Sequence, residues 1–166
     1  MKIGGQEVKG PCVETLVLTR ETEPLVIKAQ AIPDFDEFDA ICPEPKAPGK
    51  RTKNGFEPNF QDENYRVILE HHNKQRLAYL IIRSLEISNI EWDTTDINNP
   101  KTWLNYKEDF KKAGFSTVEI NRIEQIVMQA NALDEVKLEK AREAFLLGQR
   151  QAQEDSSGQA TEQVNT

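Results

Sequence analysis

Residues 14–32 (ETLVLTRETEPLVIKAQAI) decide the fold class, because they read as two amphipathic strands joined by a short loop that contains a proline. Apolar residues recur at every second position of each run, which makes one face of the hairpin drier than the other. These residues are Leu16, Leu18, Leu25, Ile27, Ala29 and Ala31. An isolated hairpin is only marginally stable in water. The pattern therefore predicts a hairpin that packs on another element.

Helices that follow the hairpin supply that element. Residues 62–86 read as one long helix, and its second half is apolar on nearly all sides, which is typical of a helix that enters the core. A shorter helix is expected to start at Pro100, since proline suits the first helical position. Ser116 and Glu119 have the spacing of a capping box and predict the start of another helix.

The whole pattern predicts one α+β domain over residues 1–148. A small antiparallel β element of two to four short strands packs on a mainly helical body of about four helices. The expected segments are a β-rich region 1–32, a short helix 34–42, a Pro/Gly loop 43–60 and a helical region 61–148. Residues 149–166 contain one apolar residue larger than alanine, which cannot offset the entropy of ordering the segment. This tail is predicted to be disordered.

Composition and charge exclude several classes of protein. The formal net charge is -7 and the pI is near 5.0, whereas nucleic-acid binding relies on cations that displace counterions from phosphates. No apolar run approaches the roughly 18 residues that cross a bilayer, and no signal peptide opens the chain. The two cysteines lack a CxxC partner, and a reduced cytoplasmic setting is expected. We therefore expect neither nucleic acid nor membrane as a partner.

The sequence offers no clear catalytic, cofactor or metal site. His71 and His72 are adjacent, so they diverge on a helix and cannot chelate one metal as an i, i+4 pair does. Cys12 and Cys42 read as small apolar residues. Phosphate-binding and serine-nucleophile motifs are missing from the chain. The chain is therefore predicted not to be an enzyme, although a pocket that joins a cysteine, a histidine and a carboxylate would revive that class.

The Pro/Gly loop 43–60 holds the main candidates for partner binding. It carries the only basic cluster of the chain, which consists of Lys46, Lys50, Arg51 and Lys53. Such a run either binds an acidic partner or is simply solvated. Phe56 and Phe60 lie in the same loop, and they either fold back on the core or serve as apolar anchors for a partner.

Two tryptophans flank the acidic loop 88–99. Trp92 and Trp103 either tuck this loop onto the helices or contribute to an interface, since tryptophan is frequent among the residues that dominate binding energy. The candidate partner-binding residues are thus Lys50, Arg51, Lys53, Phe56, Phe60, Trp92 and Trp103.

Beyond these patterns, the chain resembles a known family. The order of a β-rich N-terminus, an acidic-aromatic helix and a closing set of helices is similar to that of the tail assembly chaperones of tailed bacteriophages, small proteins encoded near the tape measure gene. The resemblance covers residues 1 to about 149. It rests also on three phrases: RSLEISNIEWDT (83–94), AGFSTVEINRI (113–123) and NALDE (131–135).

The resemblance implies a non-enzymatic protein of virion assembly. Such chaperones bind the long helical tape measure protein in the host cell cytoplasm, keep it soluble until the tail tube assembles, and are absent from the mature virion. In some families a ribosomal frameshift adds a C-terminal extension that recruits tail tube protein. Two other classes remain open, namely a virion structural protein of the tail or connector and a host cytoplasmic adaptor. Whether the protein forms homo-oligomers also remains open.

Overall fold

The computed structural model describes residues 1–53 and 55–161, with side chains up to residue 149. It confirms the α+β class, with short antiparallel strand pairs followed by helices. The chain divides into two compact units, Met1–Asn131 and a segment that begins at Ala132. The first unit contains all of the described strands and the core, and it is the unit that matters for the candidate site.

Six strands form three separate antiparallel pairs in the described part of the chain. They are Lys2–Ile3 (β1) with Gln6–Glu7 (β2), Val13–Leu18 (β3) with Leu25–Gln30 (β4), and Gly49–Thr52 (β5) with Gly55–Pro58 (β6). The first two pairs lie within residues 1–32, the region in which two to four short strands were predicted. The third pair was not predicted, because the prolines and glycines of 43–60 resemble an irregular loop. The segment is instead a hairpin with loop residues on either side.

The helices of the first unit are Asp36–Ile41 (α1), Glu63–Ser84 (α2), Tyr106–Lys112 (α3) and Thr117–Ala130 (α4), with 3-10 turns at Glu86–Ser88 and Trp103–Asn105. The long helix and the capping box are confirmed, since the Ser116 hydroxyl accepts from the Glu119 amide and the Glu119 carboxylate accepts from the Ser116 amide. The predicted helix start at Pro100 is wrong. The Thr102 hydroxyl contacts the Asp96 and Asn99 carbonyl oxygens and holds this stretch as turns.

The second unit is one helix, Glu135–Thr161 (α5). It continues past Gly148, whereas the helical region was predicted to end at residue 148. A single glycine inside a helix is tolerated at a cost of about 1 kcal/mol. Most of the tail 149–166, predicted to be disordered, lies outside the residues whose side chains are described, and 162–166 lie outside the described backbone.

The core of the first unit lies between the β3–β4 hairpin and the helices α2 and α4. Leu18, Ile27 and Ala29 of the predicted dry face are buried. They belong to one cluster with residues 78–82 in the second half of α2, with Leu85 just after that helix, and with the inner face of α4. The hairpin is thus stabilised by packing on α2 and α4, as expected for an element that is only marginally stable alone.

Candidate partner-binding surface

The β5–β6 hairpin lies at the surface of the first unit. Arg51 pairs with Phe56 across the hairpin, and seven of its eight strand residues are exposed. The Asn59 amide donates to the Pro48 carbonyl oxygen at 2.7 Å and closes the base of the hairpin. At the turn, Gly55 has φ 121°, which only glycine adopts without strain. The hairpin is therefore built by its own backbone pairing.

Phe56 and Phe60 point into solvent. Their side chains are 78% and 61% exposed, so the alternative in which they fold back on the core is wrong. The Phe56 ring lies over Gly49, and a Cβ at that position would collide with it. Phe60 lies 6.2 Å from the Tyr65 ring at the start of α2, measured between ring centroids. Apolar rings held in water on a built element are available to contact a partner.

Three cations lie on the same hairpin as Phe56. Lys50 and Arg51 lie on β5 and Lys53 lies at the turn, and all three are exposed. Glu57 pairs with Lys50 across the hairpin and is the only carboxylate within the strands. Because the whole chain carries a net charge of -7, the hairpin is a local region of opposite sign. It can attract an acidic surface by long-range electrostatics.

Trp103 is not part of this or any other surface. Its side chain is 0% exposed, and its indole N–H donates to the Ile97 carbonyl oxygen at 2.9 Å. The rings of Phe38 and Tyr79 lie 5.6 Å and 5.2 Å away. The prediction of Trp103 as a partner-binding residue is therefore wrong. It serves the other expected role, since it holds the acidic loop against the helices.

Trp92 lies elsewhere, in a groove that we call the β4 groove. The groove has a volume of about 360 Å³ and contains no residue of the β5–β6 hairpin. Its lining consists of Leu25, Val26 and Ile27 of β4, Ser88, Ile90, Glu91, Trp92 and Asp93 of the loop, and Asp109, Phe110, Ala113 and Phe115. Trp92 is half-buried and meets the edge of the Phe110 ring at 5.1 Å. The predicted residues therefore form two sets rather than one site.

A buried carboxylate holds the loop that carries Trp92. Asp109 accepts four hydrogen bonds, from the amides and the hydroxyls of Thr94 and Thr95, at 2.7–3.0 Å. Burial alone would raise the pKa of Asp109, but these hydrogen bonds outweigh burial and hold the pKa below its usual value. Sequence analysis missed this residue, because an acid in a helix pattern gives no sign that a distant Thr-Thr pair will reach it.

An ion pair ties the β element to α4. The Arg20 guanidinium pairs with the Glu119 carboxylate and lies 5.0 Å from the Phe115 ring centroid. Arg20 and the hydrogen bonds from Ser116 lower the pKa of Glu119 to about 2. Glu119 therefore has a structural role at the helix start, as its capping position suggests.

The structure brings one cysteine near one histidine, the arrangement that would revive an enzyme. The His72 Nε2 atom lies 3.0 Å from the Cys42 carbonyl oxygen, so it contacts the backbone rather than the thiol. The Cys42 Sγ atom lies 3.5 Å from the Gln75 Oε1 atom, to which it donates. Burial raises the pKa of the Cys42 thiol, which disfavours the nucleophilic thiolate. This contact is best explained as packing between α1 and α2.

Among the described residues, no group of three or more His, Cys, Asp or Glu side chains is close enough to hold a metal ion. None of the helices in that part of the chain is long and apolar enough to cross a membrane. No family model, curated protein or solved structure matches the chain. The two surfaces are therefore interpreted from their own chemistry.

Proposed function

We propose that this chain is a non-enzymatic protein-binding protein, a phage tail assembly chaperone that contacts its partner through the β5–β6 hairpin. The observation that carries the binding role is the 78% exposure of Phe56 on a hairpin that also carries the exposed cations Lys50, Arg51 and Lys53. Covering an apolar ring that is exposed on a hairpin lowers the free energy, which favours binding of a partner. The surrounding charges favour a partner with acidic residues beside its apolar ones.

The chaperone role is supported by the family resemblance over 83–94, 113–123 and 131–135. The partner would be the tape measure protein, with tail tube protein as a second partner during tube assembly. A coating protein needs apolar contacts that shield a helical partner and an external charge that keeps the complex in solution. The exposed hairpin would supply the first, and the net charge of -7 the second.

The test is a tagged pull-down from cells that express the native gene neighbourhood, read by mass spectrometry. The hairpin variant reverses three charges, Lys50→Glu, Arg51→Glu and Lys53→Glu, and leaves the phenylalanines in place. We expect recovery of a long helical tape measure protein with the native chain and at least a tenfold loss with this variant, since three favourable contacts become repulsive.

A matched control reverses three exposed cations elsewhere, Lys101→Glu, Lys112→Glu and Arg122→Glu, which gives the same change in net charge. Recovery should stay within about twofold of the native chain. Equal losses in both variants would mean that net charge, rather than the hairpin, governs binding. A native chain that retrieves no tape measure protein would contradict the chaperone role.

Purified particles separate the remaining classes. A chaperone should be undetectable in particles by the same antibody, whereas a tail or connector protein would be present in them. Recovery of host proteins alone would favour a host adaptor. We expect the protein in the host cell cytoplasm and not in mature virions.

A further inference from the structure

The β4 groove is a second surface whose chemistry differs from that of the hairpin. Its wall is a row of three aromatic rings, in which Trp92 meets Phe110 edge to face at 5.1 Å and Phe110 meets Phe115 in the same way at 5.1 Å. The volume of about 360 Å³ exceeds that of one large apolar side chain. An aromatic ring or a leucine side chain that enters the groove would meet aromatic faces and edges, a favourable arrangement.

The other side of the groove is the outer edge of β4. The Ser88 hydroxyl accepts from the Lys28 amide and donates to the Lys28 carbonyl oxygen, both at 2.7 Å. The peptide groups of Lys28 thus point away from β3. Val26, two residues earlier on the same strand, must point its amide and carbonyl the same way, since the orientation alternates along an antiparallel strand. Val26 lines the groove and is 49% exposed.

This edge is not paired with another strand within the described residues. Ser88 occupies it at Lys28, so an added strand could pair with Val26 but could not extend through Lys28. Only a short extended segment fits. Backbone pairing of this kind gives affinity to many peptide complexes, and pockets for alternate side chains give specificity.

The charge at the edge of the β4 groove further restricts which segment can bind there. Glu91 and Asp93 are exposed at the rim of the groove. Arg20, whose guanidinium lies 5.0 Å from the Phe115 ring, is already paired with Glu119. A segment with lysine or arginine beside its apolar side chain would therefore meet complementary charge.

We propose that the β4 groove binds a short extended protein segment that pairs with Val26, places one large apolar side chain against Trp92, Phe110 and Phe115, and sets basic residues beside Glu91 and Asp93. This surface is separate from the hairpin, and the proposal does not depend on the tail assembly role. The partner of the groove is basic and apolar, whereas the partner of the hairpin is acidic and apolar.

The experiment uses the full chain and a fluorescein-labelled peptide, KVFVK, followed by fluorescence anisotropy. Control peptides are EVFVE, which reverses the charges, and KVSVK, which removes the apolar anchor. We expect each control to bind at least tenfold more weakly than KVFVK, and we expect binding of KVFVK to weaken with added salt. Equal binding of all three peptides, or no binding of KVFVK at millimolar protein, would overturn the proposal.

Protein variants then locate the site. Ala113→Trp fills the groove from an exposed position, and the double change Glu91→Lys with Asp93→Lys reverses the rim charge. Each variant should bind KVFVK at least tenfold more weakly than the native chain does. Ala40→Trp, the same substitution at an exposed alanine outside the groove, should leave binding within about twofold. Binding that persists in Ala113→Trp would place the peptide elsewhere and overturn the proposal.

Two further readings decide the binding mode and the occupant. Amide hydrogen exchange at Val26 should slow at least tenfold with saturating KVFVK, because strand addition protects that amide. An unchanged rate would contradict strand pairing. The native chain could instead self-associate in sedimentation and fail to bind the peptide, while Ala113→Trp stays monomeric. In that case a second copy occupies the groove and the proposal is wrong.

Discussion

Replacing Asp109 by alanine should destabilise the first unit strongly, although the residue lies in no predicted site. Four donors from Thr94 and Thr95 converge on its carboxylate. Hydrogen bonds to a charged group contribute about 1.5–3 kcal/mol each, and a buried donor left without a partner costs about 1–3 kcal/mol. Thr94 is exposed and can turn to water, so the two donors of buried Thr95 dominate. We expect a loss of about 3–4 kcal/mol.

In a protein of this size such a loss lowers the thermal midpoint by roughly 10 °C, since each kcal/mol shifts it by about 2–4 °C. Asp109→Asn keeps one carbonyl oxygen and should cost about half as much. The assay is thermal and urea unfolding by circular dichroism at neutral pH. Asp93→Asn, an exposed acid in the same loop, is the control and should shift the midpoint by no more than about 2 °C.

The pH dependence gives a second reading of the same residue. The pKa of Asp109 is lowered in the folded protein, so the unfolded chain binds the proton more readily. Its stabilising contribution is present above the unfolded pKa of about 3.9 and is lost as pH falls through the lower folded pKa. The native chain should therefore lose more stability than Asp109→Asn between about pH 5 and pH 2. Parallel curves, or an alanine variant as stable as the native chain, would refute the reasoning.

Three further predictions concern single contacts. Ser88→Ala should lower the free energy of unfolding by about 1–2 kcal/mol, because it removes both hydrogen bonds that cover the edge of β4; urea unfolding against Thr117→Ala as a surface control checks this. An NMR titration of Glu119 should find a pKa of about 2 that rises toward its ordinary value in Arg20→Gln, and an unchanged value would contradict the ion pair. Gly49→Ala should displace the Phe56 ring and speed amide exchange in β5–β6. The thermal midpoint should move by less than about 2 °C, since the strands carry no core residue. A large fall in the midpoint would mean that the hairpin supports the core.

Local patterns predicted much of the architecture. The alternation in 14–32 placed Leu18 and Ile27 on the buried face, and the apolar second half of 62–86 became the centre of the core. The capping box at Ser116 was predicted correctly because both of its hydrogen bonds are formed by residues three apart. Patterns of this kind predict the folded structure well because they depend only on residues that are near in sequence.

The features that escaped prediction depend on contacts between distant residues. The sequence left two roles open for Trp103, and its indole is buried because α1, α2 and the acidic loop converge on it, which no local pattern shows. Thr94 and Thr95 meet Asp109 across 14–15 positions of sequence. The hairpin at 49–58 was missed for a different reason, since its glycines and its terminal proline are typical of loops as well as of short, exposed strands.

The short hydrogen bond at the base of the β5–β6 hairpin has a consequence for how the surface can change. Pro48 and Asn59 are joined there at 2.7 Å, so the chain enters and leaves the hairpin at adjacent points. The ten residues between them can therefore be shortened or exchanged without moving the points at which the hairpin joins the rest of the first unit. Under the proposed binding role, a new specificity can therefore arise in this segment alone, without any substitution in the core that supports it.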